Sequence, residues 1–383
     1  MRILIAAPAP RLREGGVANV VHNMAEALRE RGHQVTCIFS EDVIPEHLAF
    51  PRFSHVYFAY RLAHELYRRR SEFDVVNIHA PTGFAYGLLR GFRRNSSLPP
   101  YVMYLHGIEE RRNHAMVRED KKRRAQYFRW KNRVWQHFYH MRLFRWSIIT
   151  ADYSIVINRE TWSMLQLKYN RETDRVWYIP NGVEPHFFSQ RDYSQGLAER
   201  LLFVGTWIDH KGIYYLRESF EFLAQKFPGV RLTIAGCGVD AETVMRSFRP
   251  DLRHRVEVRP FVSRTDMPAL YAEHDVFLLP SLMEGMPIVL LEAMATGMPV
   301  VTTETCGMMD LVEDEYNGLL VKPADSASFT AAVTRLMTSS ELRCQVGQAA
   351  QQTARRHVWK IVAERLEHVF QLACQAAASS TLP

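Results

Sequence analysis

Short apolar runs alternate with amphipathic segments along almost the whole chain, a pattern typical of parallel sheets joined by crossover helices. After Gly15 and Gly16, apolar side chains from Val17 to Leu28 recur on one helical face, and Gly32 ends that helix. The segment between 105 and 153 predicts one or two long helices. Strands are predicted at 2–7, 35–39, 74–78, 101–105 and 153–157.

The segment IPNGVEP (179–185) reads as a boundary, because an Asn-Gly turn is followed by a proline that breaks regular structure. The pattern then restarts, with a final amphipathic helix from Trp359 to Ala376. Further strands are predicted at 201–204, 230–235, 256–258, 276–279, 300–303 and 319–321. We therefore expect an α/β protein of two doubly wound domains. Ligands of such domains bind at the carboxyl ends of strands, which predicts a cleft there.

Composition places the chain among globular proteins, with 47% apolar and 23% charged residues over 383 positions. The opening MRILIAAPAP reads as a strand and not as a signal peptide, and no apolar run approaches the roughly 18 to 20 residues that cross a bilayer. The five cysteines are dispersed singly, which favours reduced thiols. A cytoplasmic protein is the expectation.

The formal net charge of +7 is concentrated between 109 and 146, where cations and aromatic residues are interleaved. This segment fits a solvated helix face. It fits equally a surface attracted to anionic membranes or lipid-linked substrates. Nucleic acid is disfavoured, because no nucleic-acid-binding module surrounds the segment. His137 and His140 share a helix face within it but lack further ligands for a metal site.

The stretch EGMPIVLLE (284–292) places one carboxylate in a loop and a second inside an apolar helix. Pro287 suits the first helical position, and the start of this helix predicts a phosphate site. Helical side chains lean toward the amino terminus, so Glu292 reaches back toward that site. Glu292 is interpreted as an acceptor for ribose hydroxyls and Glu284 as an acceptor for a sugar. The alternative for Glu292 is a pair with a neighbouring arginine, or exposure to solvent.

Three other loops follow predicted strands. In FVGTWIDHKG (203–212), Lys211 could place a charge on a diphosphate or be a solvated surface lysine. In EGG (14–16), Gly16 marks a weak phosphate-loop signal or a plain tight turn. In YLHG (104–107), His106 stands where a catalytic group would lie, although a lone histidine is usually structural.

Together these loops resemble the family 4 retaining glycosyltransferases, which have the GT-B fold. The resemblance covers nearly the whole chain and is strongest from Arg200 to Met337. Its marks are EGG, RERGHQV, the HG at 106–107, IPNGVEPHFF, FVG with HKG, LTIAGCG, LPSLMEGMPIVLLEAMATGMPVV and YNGLLVKPAD.

The resemblance implies an acceptor-binding domain at 1–182, a donor-binding domain at 183–357, and a terminal helix at 358–383 that packs back on the first domain. It implies a metal-independent enzyme that uses a UDP- or GDP-sugar and needs no other cofactor. The acceptor would be a glycan or lipid-linked precursor in surface-polysaccharide biosynthesis, reached by peripheral attachment to the inner face of the membrane. A catalytically silent sugar-nucleotide-binding subunit and a sugar-nucleotide epimerase are the alternatives.

Residue by residue, the resemblance implies that Glu292 binds ribose, that Glu284 contacts the donor sugar, and that Lys211 neutralises the leaving diphosphate. His106 would lie near the anomeric carbon and the acceptor. The remaining contacts would come from Gly16, from the backbone of Gly285, Met286, Pro287 and Ile288, and from Phe261 and Val262 beside the base. Family members usually carry arginine at position 206, and here it is Thr206. Arg11, Arg13 and His210 are the candidate cations to replace it.

Overall fold

The computed structural model describes residues 1–13, 16–45, 54–92, 98–107, 141–193 and 196–379. They divide into two compact units. Unit 1 contains the described residues up to Asn181 together with those from Trp359 onward, and unit 2 contains Gly182–Val358. The division falls inside the IPNGVEP segment.

Unit 1 is built on a six-stranded sheet in the order β2-β1-β3-β4-β5-β6, with every neighbouring pair parallel. All residues of β3 and β4 are buried, as expected for central strands covered on both faces. The strands are β1 (Arg2–Ala6), β2 (Gln34–Ile38), β3 (Val75–His79), β4 (Tyr101–Leu105), β5 (Tyr153–Val156) and β6 (Val176–Tyr178).

The helices of unit 1 pack on this sheet through one apolar face each, as α1 does with Val20, Val21, Met24 and Leu28. They are α1 (Gly16–Glu30), α2 (Ser40–Val43), α3 (Ser54–Arg68), α4 (Phe84–Phe92), α5 (Met141–Thr150), α6 (Arg159–Tyr169) and, from the end of the chain, α14 (Trp359–Ser379). The last helix contacts α1, β3 and β4.

Unit 2 has a second six-stranded parallel sheet, in the order β12-β11-β10-β7-β8-β9. Its strands are β7 (Arg200–Val204), β8 (Arg231–Ala235), β9 (Val256–Arg259), β10 (Val276–Leu279), β11 (Val300–Thr303) and β12 (Leu319–Val321). Its helices are α7 (Ile213–Lys226), α8 (Ala241–Arg246), α9 (Met267–Ala272), α10 (Ile288–Ala295), α11 (Cys306–Leu311), α12 (Ser326–Thr338) and α13 (Ser340–Ala354).

Each sheet has a point where the strand order reverses, and the loops that follow the two strands at this point diverge from each other. In unit 1 the order reverses between β1 and β3, and in unit 2 between β7 and β10. Loops that leave the carboxyl ends of such strands run to opposite sides and open a crevice, which is the usual ligand site of doubly wound sheets. The loops that carry Lys211 and Glu284 follow β7 and β10 respectively.

The predicted strands agree with the observed ones to within one residue, whereas β6 was not predicted at Val176–Tyr178. The helix of the EGMPIVLLE stretch starts one residue later than expected, with Pro287 as its N-cap and not as its first residue. Residues 108–140, which make up most of the basic segment, lie outside the described residues. The predictions for His137, His140 and positions 111–140 therefore stay predictions. Within the described part of the chain, no helix is long and apolar enough to span a membrane.

Candidate active site

The loops after β7 and β10 bring Lys211 and Glu284 together. Nζ of Lys211 lies 2.6 Å from Oε1 of Glu284, and both side chains are largely buried, with 17% and 13% of their surfaces exposed. The hydroxyl of Ser281 donates to the same carboxylate oxygen at 2.9 Å. The cation and the carboxylate that the sequence analysis assigned to neighbouring parts of one donor therefore form one ion pair.

Backbone contacts hold these two loops against each other. The amide of Leu282 donates to the carbonyl of His210 at 2.8 Å. Gly212 has φ +73°, and a Cβ there would lie 1.9 Å from the carbonyl oxygen of Pro280. Only glycine fits this left-handed position beside another backbone. The pairing of Lys211 with Glu284 thus depends on the close approach of two segments that are about 70 residues apart in the sequence.

Glu292 lies on α10 and is 1% exposed. Its Oε1 accepts a hydrogen bond from a guanidinium nitrogen of Arg264, and its Oε2 accepts one from the Tyr271 hydroxyl at 2.9 Å. The pair with an arginine was the alternative that sequence reasoning left open, and the structure contains it. Because an ionised carboxylate has about four lone-pair sites, these two donors leave acceptor capacity on Glu292.

Arg264 connects Glu292 to a second carboxylate. Its guanidinium donates to both oxygens of Glu184, at 2.7 and 2.6 Å, and lies 4.8 Å from the centroid of the Phe187 ring. The carboxylates of Glu184 and Glu292 are thus joined through one cation. Removal of one member of a buried pair costs about 3–5 kcal/mol, because it leaves the other charge without a partner.

The electrostatics of Glu292 follow from its burial. Burial raises the pKa of its carboxyl above the usual range, and Arg264 opposes that shift. The pKa of Arg264 is raised: burial lowers it, and the attraction of Glu292 and Glu184 outweighs burial. The pKa of Tyr271 is raised far above its usual value, first by burial and then by the neighbouring carboxylate. Tyr271 therefore stays a hydrogen-bond donor to Glu292 at every physiological pH.

The other predicted donor contacts of unit 2 differ in their exposure to solvent. Thr206 is exposed in the loop after β7, and Phe261 is 60% exposed after β9, next to a half-buried Val262. Met286, Pro287 and Ile288 are buried at the start of α10, beside a half-buried Gly285. The first N–H groups of a helix have no hydrogen-bond acceptor within the helix. The phosphate site at this turn therefore stays a prediction.

Two of the three candidates for the missing cation, both arginines, are already engaged in ion pairs, and the third, His210, has a backbone contact. Arg11 is paired with Asp42 and Arg13 lies 2.5 Å from Glu26, both within unit 1. In unit 2, the carbonyl of His210 accepts from Leu282. Gly16 is the exposed first residue of α1, and Glu14 and Gly15 of the EGG motif lie outside the described residues.

His106 of unit 1 follows β4 and forms a pair with His79, the last residue of β3. Nε2 of His106 lies 2.7 Å from Nδ1 of His79. His106 is partly exposed, whereas His79 is fully buried. Desolvation by the surrounding protein lowers the pKa of His106 to about 4 and lowers that of His79 well below its usual range.

Sequence reasoning did not identify four residues of these centres. Arg264, Glu184 and Tyr271 contact Glu292 or its partner, and His79 contacts His106. Two of them carried a usable signal, since His79 ends a strand and Arg264 lies in the loop after β9. The described residues contain no group of three or more side chains placed to hold a metal ion.

Comparison with known proteins gives matches over most of the chain. Residues 14–187 match the family model described as Glycosyltransferase Family 4, and residues 198–339 match Glycosyl transferases group 1. An uncharacterized glycosyltransferase of Methanocaldococcus jannaschii is 26% identical over 94% of this chain and 95% of that protein. The UDP-Gal:alpha-D-GlcNAc-diphosphoundecaprenol alpha-1,3-galactosyltransferase of Escherichia coli is 29% identical over 42% of this chain and 45% of that enzyme.

A solved structure supports the same assignment at the level of the fold. HepE of Anabaena, determined in complex with UDP-glucose, superposes with a TM-score of 0.71, at 15% identity and over 97% of this chain and 100% of that chain. Two six-stranded parallel sheets of Rossmann type are the architecture that such a likeness requires. The chain therefore belongs to the family 4 glycosyltransferases and has their two-domain α/β GT-B fold.

Proposed function

We propose that the chain is a retaining, metal-independent glycosyltransferase that moves a sugar from a UDP- or GDP-sugar to an acceptor hydroxyl. The observation that carries the proposal is the pairing of Lys211 with Glu284 at the crevice between β7 and β10, beside the start of α10. A cation, a carboxylate and a helix amino terminus in one crevice suit a phosphate joined to a neutral sugar.

Each part of the donor has a proposed partner in unit 2. Lys211 and the backbone of 285–288 take the diphosphate, Glu284 takes a sugar hydroxyl, and Glu292 takes the ribose. Phe261 and Val262 border the base, with Thr206 beside the phosphates. Among the described residues, Lys211 and Ser281 both bond to Oε1 of Glu284, which leaves Oε2 for a sugar hydroxyl.

The proposed chemistry balances without a nucleophile from the protein. The bond between the anomeric carbon and the diphosphate oxygen breaks, and the acceptor oxygen bonds to that carbon on the same face. The acceptor proton passes to the departing phosphate oxygen. Lys211 stabilises the negative charge that develops on this leaving group, the kind of preorganised contribution that is often the largest in catalysis. His106 contacts the sugar or the acceptor near the reacting carbon.

The acceptor that we propose is a glycan or lipid-linked precursor of a surface polysaccharide. Support comes from the Escherichia coli relative, whose name specifies a diphosphoundecaprenol acceptor. The cation-rich segment 111–146 suits attachment to an anionic membrane surface, because each basic residue near such a surface contributes about 1 kcal/mol. Peripheral attachment at the inner face of the membrane completes the proposal.

Incubation with a panel of UDP- and GDP-sugars tests the donor assignment. UDP-glucose is the first member to try, because the related HepE structure contains it. Release of nucleotide with free or transferred sugar is the expected result, and an α-linked sugar should give an α-linked product by NMR. Interconversion of the sugars would indicate an epimerase, and binding without turnover would indicate a silent subunit.

The same assay tests the metal assignment. Turnover should be unchanged by EDTA, because Lys211 and the helix amides supply the positive charge that a metal ion would otherwise provide. Loss of activity on chelation and recovery on addition of a divalent cation would contradict metal independence.

A further inference from the structure

The ring of His79 is held beside His106 by its stack on Tyr104. Its ring stacks on Tyr104 with centroids 4.7 Å apart and planes inclined by 16°. The Tyr104 hydroxyl in turn donates to Oδ1 of Asn181 at 3.1 Å. Because His79 is fully buried at the end of β3, its ring has little freedom to turn away from His106.

The two imidazoles share one hydrogen bond and both are neutral. Protein burial disfavours the charged form of each ring, and a charge on either would repel a charge on the other. The titratable groups that the described residues place against His106 are His79 and Tyr104, whose ring centroids lie 4.8 and 5.1 Å from its own. In the 2.7 Å contact, therefore, one nitrogen donates and the other accepts.

The second ring nitrogen of His79 indicates which of the two histidines donates the hydrogen bond. Nε2 of His79 is buried and has no hydrogen-bond partner among the described residues. If His106 donated, His79 would carry its own hydrogen on this nitrogen as a buried donor without an acceptor. If His79 donates from Nδ1, Nε2 is only an unused acceptor. Buried donors without partners are rarer in proteins than acceptors that are incompletely used.

We propose that His79 is a positioning residue that donates its Nδ1 hydrogen to Nε2 of His106 and so fixes His106 in the tautomer that carries its hydrogen on Nδ1. His106 then meets the substrate as a hydrogen-bond donor to an oxygen, and not as a general base. The substrate role rests on the proposed function, in which the departing phosphate takes the acceptor proton and no base is required from the protein.

The tautomer is measured directly, without turnover. Long-range ¹H–¹⁵N correlation spectra of the ¹⁵N-histidine-labelled full chain report which ring nitrogens carry hydrogen, and the His106→Gln and His79→Phe variants assign the two rings. We expect the spectrum of His106 to show a hydrogen on Nδ1, an unprotonated Nε2 and no titration between pH 8 and 5.5. Hydrogen on Nε2 of His106, or titration with a pKa near 6.5, would overturn the proposal.

Two substitutions of His79 separate positioning from a structural role. His79→Phe keeps the ring that stacks on Tyr104 and removes the donor, whereas the amide nitrogen of His79→Asn takes the place of Nδ1. We expect His79→Phe to lower kcat about 10-fold with donor KM within twofold, a smaller loss than the roughly 10² that follows removal of a catalytic donor itself. His79→Asn should recover most of the rate.

The tests of the positioning role, of the tautomer and of the proposed function can each fail without deciding the others. Equal activity of His79→Phe and wild type, with the melting temperatures also equal, would contradict a positioning role. If His79→Phe does not fold, the wild-type spectrum still decides the tautomer. If the wild type transfers no sugar from any donor, the proposed function fails while the tautomer measurement stands by itself.

Discussion

Lys211 and Glu284 form an ion pair in which Nζ lies 2.6 Å from Oε1. Since both residues are assigned to the donor, this contact must be shared with the substrate or replaced by it. A diphosphate beside Lys211 would compete with Glu284 for the ammonium group, and a sugar hydroxyl could take the carboxylate oxygen that Lys211 leaves. In the proposed function, the pair would keep both side chains in place at the crevice before the donor binds.

Lys211→Ala should lower kcat/KM by about 10² or more, the scale seen when one preorganised charge stabiliser is removed. The reason is that no other cation is bonded to Glu284 among the described residues, so the leaving group loses its nearest positive charge. Steady-state kinetics with the best donor measure the loss. Lys322→Ala is the control, because Lys322 is exposed in the same unit. A change of less than twofold in Lys211→Ala would remove Lys211 from the mechanism.

Glu292→Gln should raise donor KM by about 10- to 100-fold, the equivalent of the ~1.5–3 kcal/mol of a hydrogen bond to a charged group. Glutamine keeps the volume of the side chain but offers one acceptor oxygen to the ribose instead of two. The fold should be nearly unchanged, because Arg264 retains Glu184. Glu273→Gln, at a 51% exposed side chain, is the control. Wild-type KM and turnover in Glu292→Gln would show that Glu292 does not bind the donor.

Arg264→Met should lower the free energy of unfolding at pH 8 by about 3–5 kcal/mol, because it leaves the buried carboxylate of Glu292 without its cation. Burial already raises the pKa of Glu292, and loss of Arg264 should raise it further. The cost of the ionised carboxylate is present above that pKa and disappears below it. The deficit relative to wild type should therefore shrink as the pH falls from 8 toward 5.

Urea denaturation at several pH values measures this deficit. The Arg264→Met, Glu292→Gln double variant should be more stable at pH 8 than Arg264→Met alone, because the buried charge of Glu292 is removed and only Glu184, whose side chain is 16% exposed, stays without its cation. A deficit of equal size at every pH, or a double variant no more stable than Arg264→Met, would contradict the assignment.

Gly307→Ala should displace the loop that carries Glu284. A Cβ at position 307 would lie 1.9 Å from the carbonyl oxygen of Gly285, and backbone cannot yield as a flexible side chain does. Overpacking of this kind costs about 1–3 kcal/mol, so stability and donor affinity should both fall. Gly196→Ala is the matched control in the same unit, because nothing lies within 4 Å of its added Cβ. Equal donor KM in the two variants would argue against a role for this loop.

Charge reversal of Lys121, Lys122, Arg123 and Arg124 should weaken binding to anionic vesicles. These residues lie outside the described ones, and the prediction rests on the sequence, in which Trp130, Trp135 and Phe138 follow. Each cation contributes up to about 1 kcal/mol at an anionic surface. Binding should also fall with salt, because exposed charges are screened beyond roughly 8 to 10 Å.

Cosedimentation of wild type and variant with anionic and neutral vesicles at low and high salt measures this attraction. Equal binding to both vesicle types, or no binding, would indicate a solvated helix face.

The strands of this chain other than β6 were predictable because each is a short apolar run between turn-forming residues. Buried parallel strands require that pattern, and α1 requires apolar residues at helical spacing. For the same reason Lys211, Glu284 and His106 were identified as candidates, since the residues that follow parallel strands meet at one edge of a sheet. The burial of Glu292 was also readable, because apolar residues precede and follow it in the chain.

The partners of those residues were decided only by the tertiary structure. Arg264 and Glu292 are 28 residues apart in the chain, and His79 and His106 are 27 apart. Hydrophobic periodicity determines which face of an element is buried, but it contains no information on which polar groups meet across neighbouring loops. A buried charge or ring nitrogen pairs with whichever donor or acceptor the packed loops bring within about 3 Å. For His79 and His106 that distance is set by the adjacent places of β3 and β4, and for Arg264 and Glu292 by the packing of the loop after β9 against α10. For this reason the sequence determined the candidates, and the fold decided their chemistry.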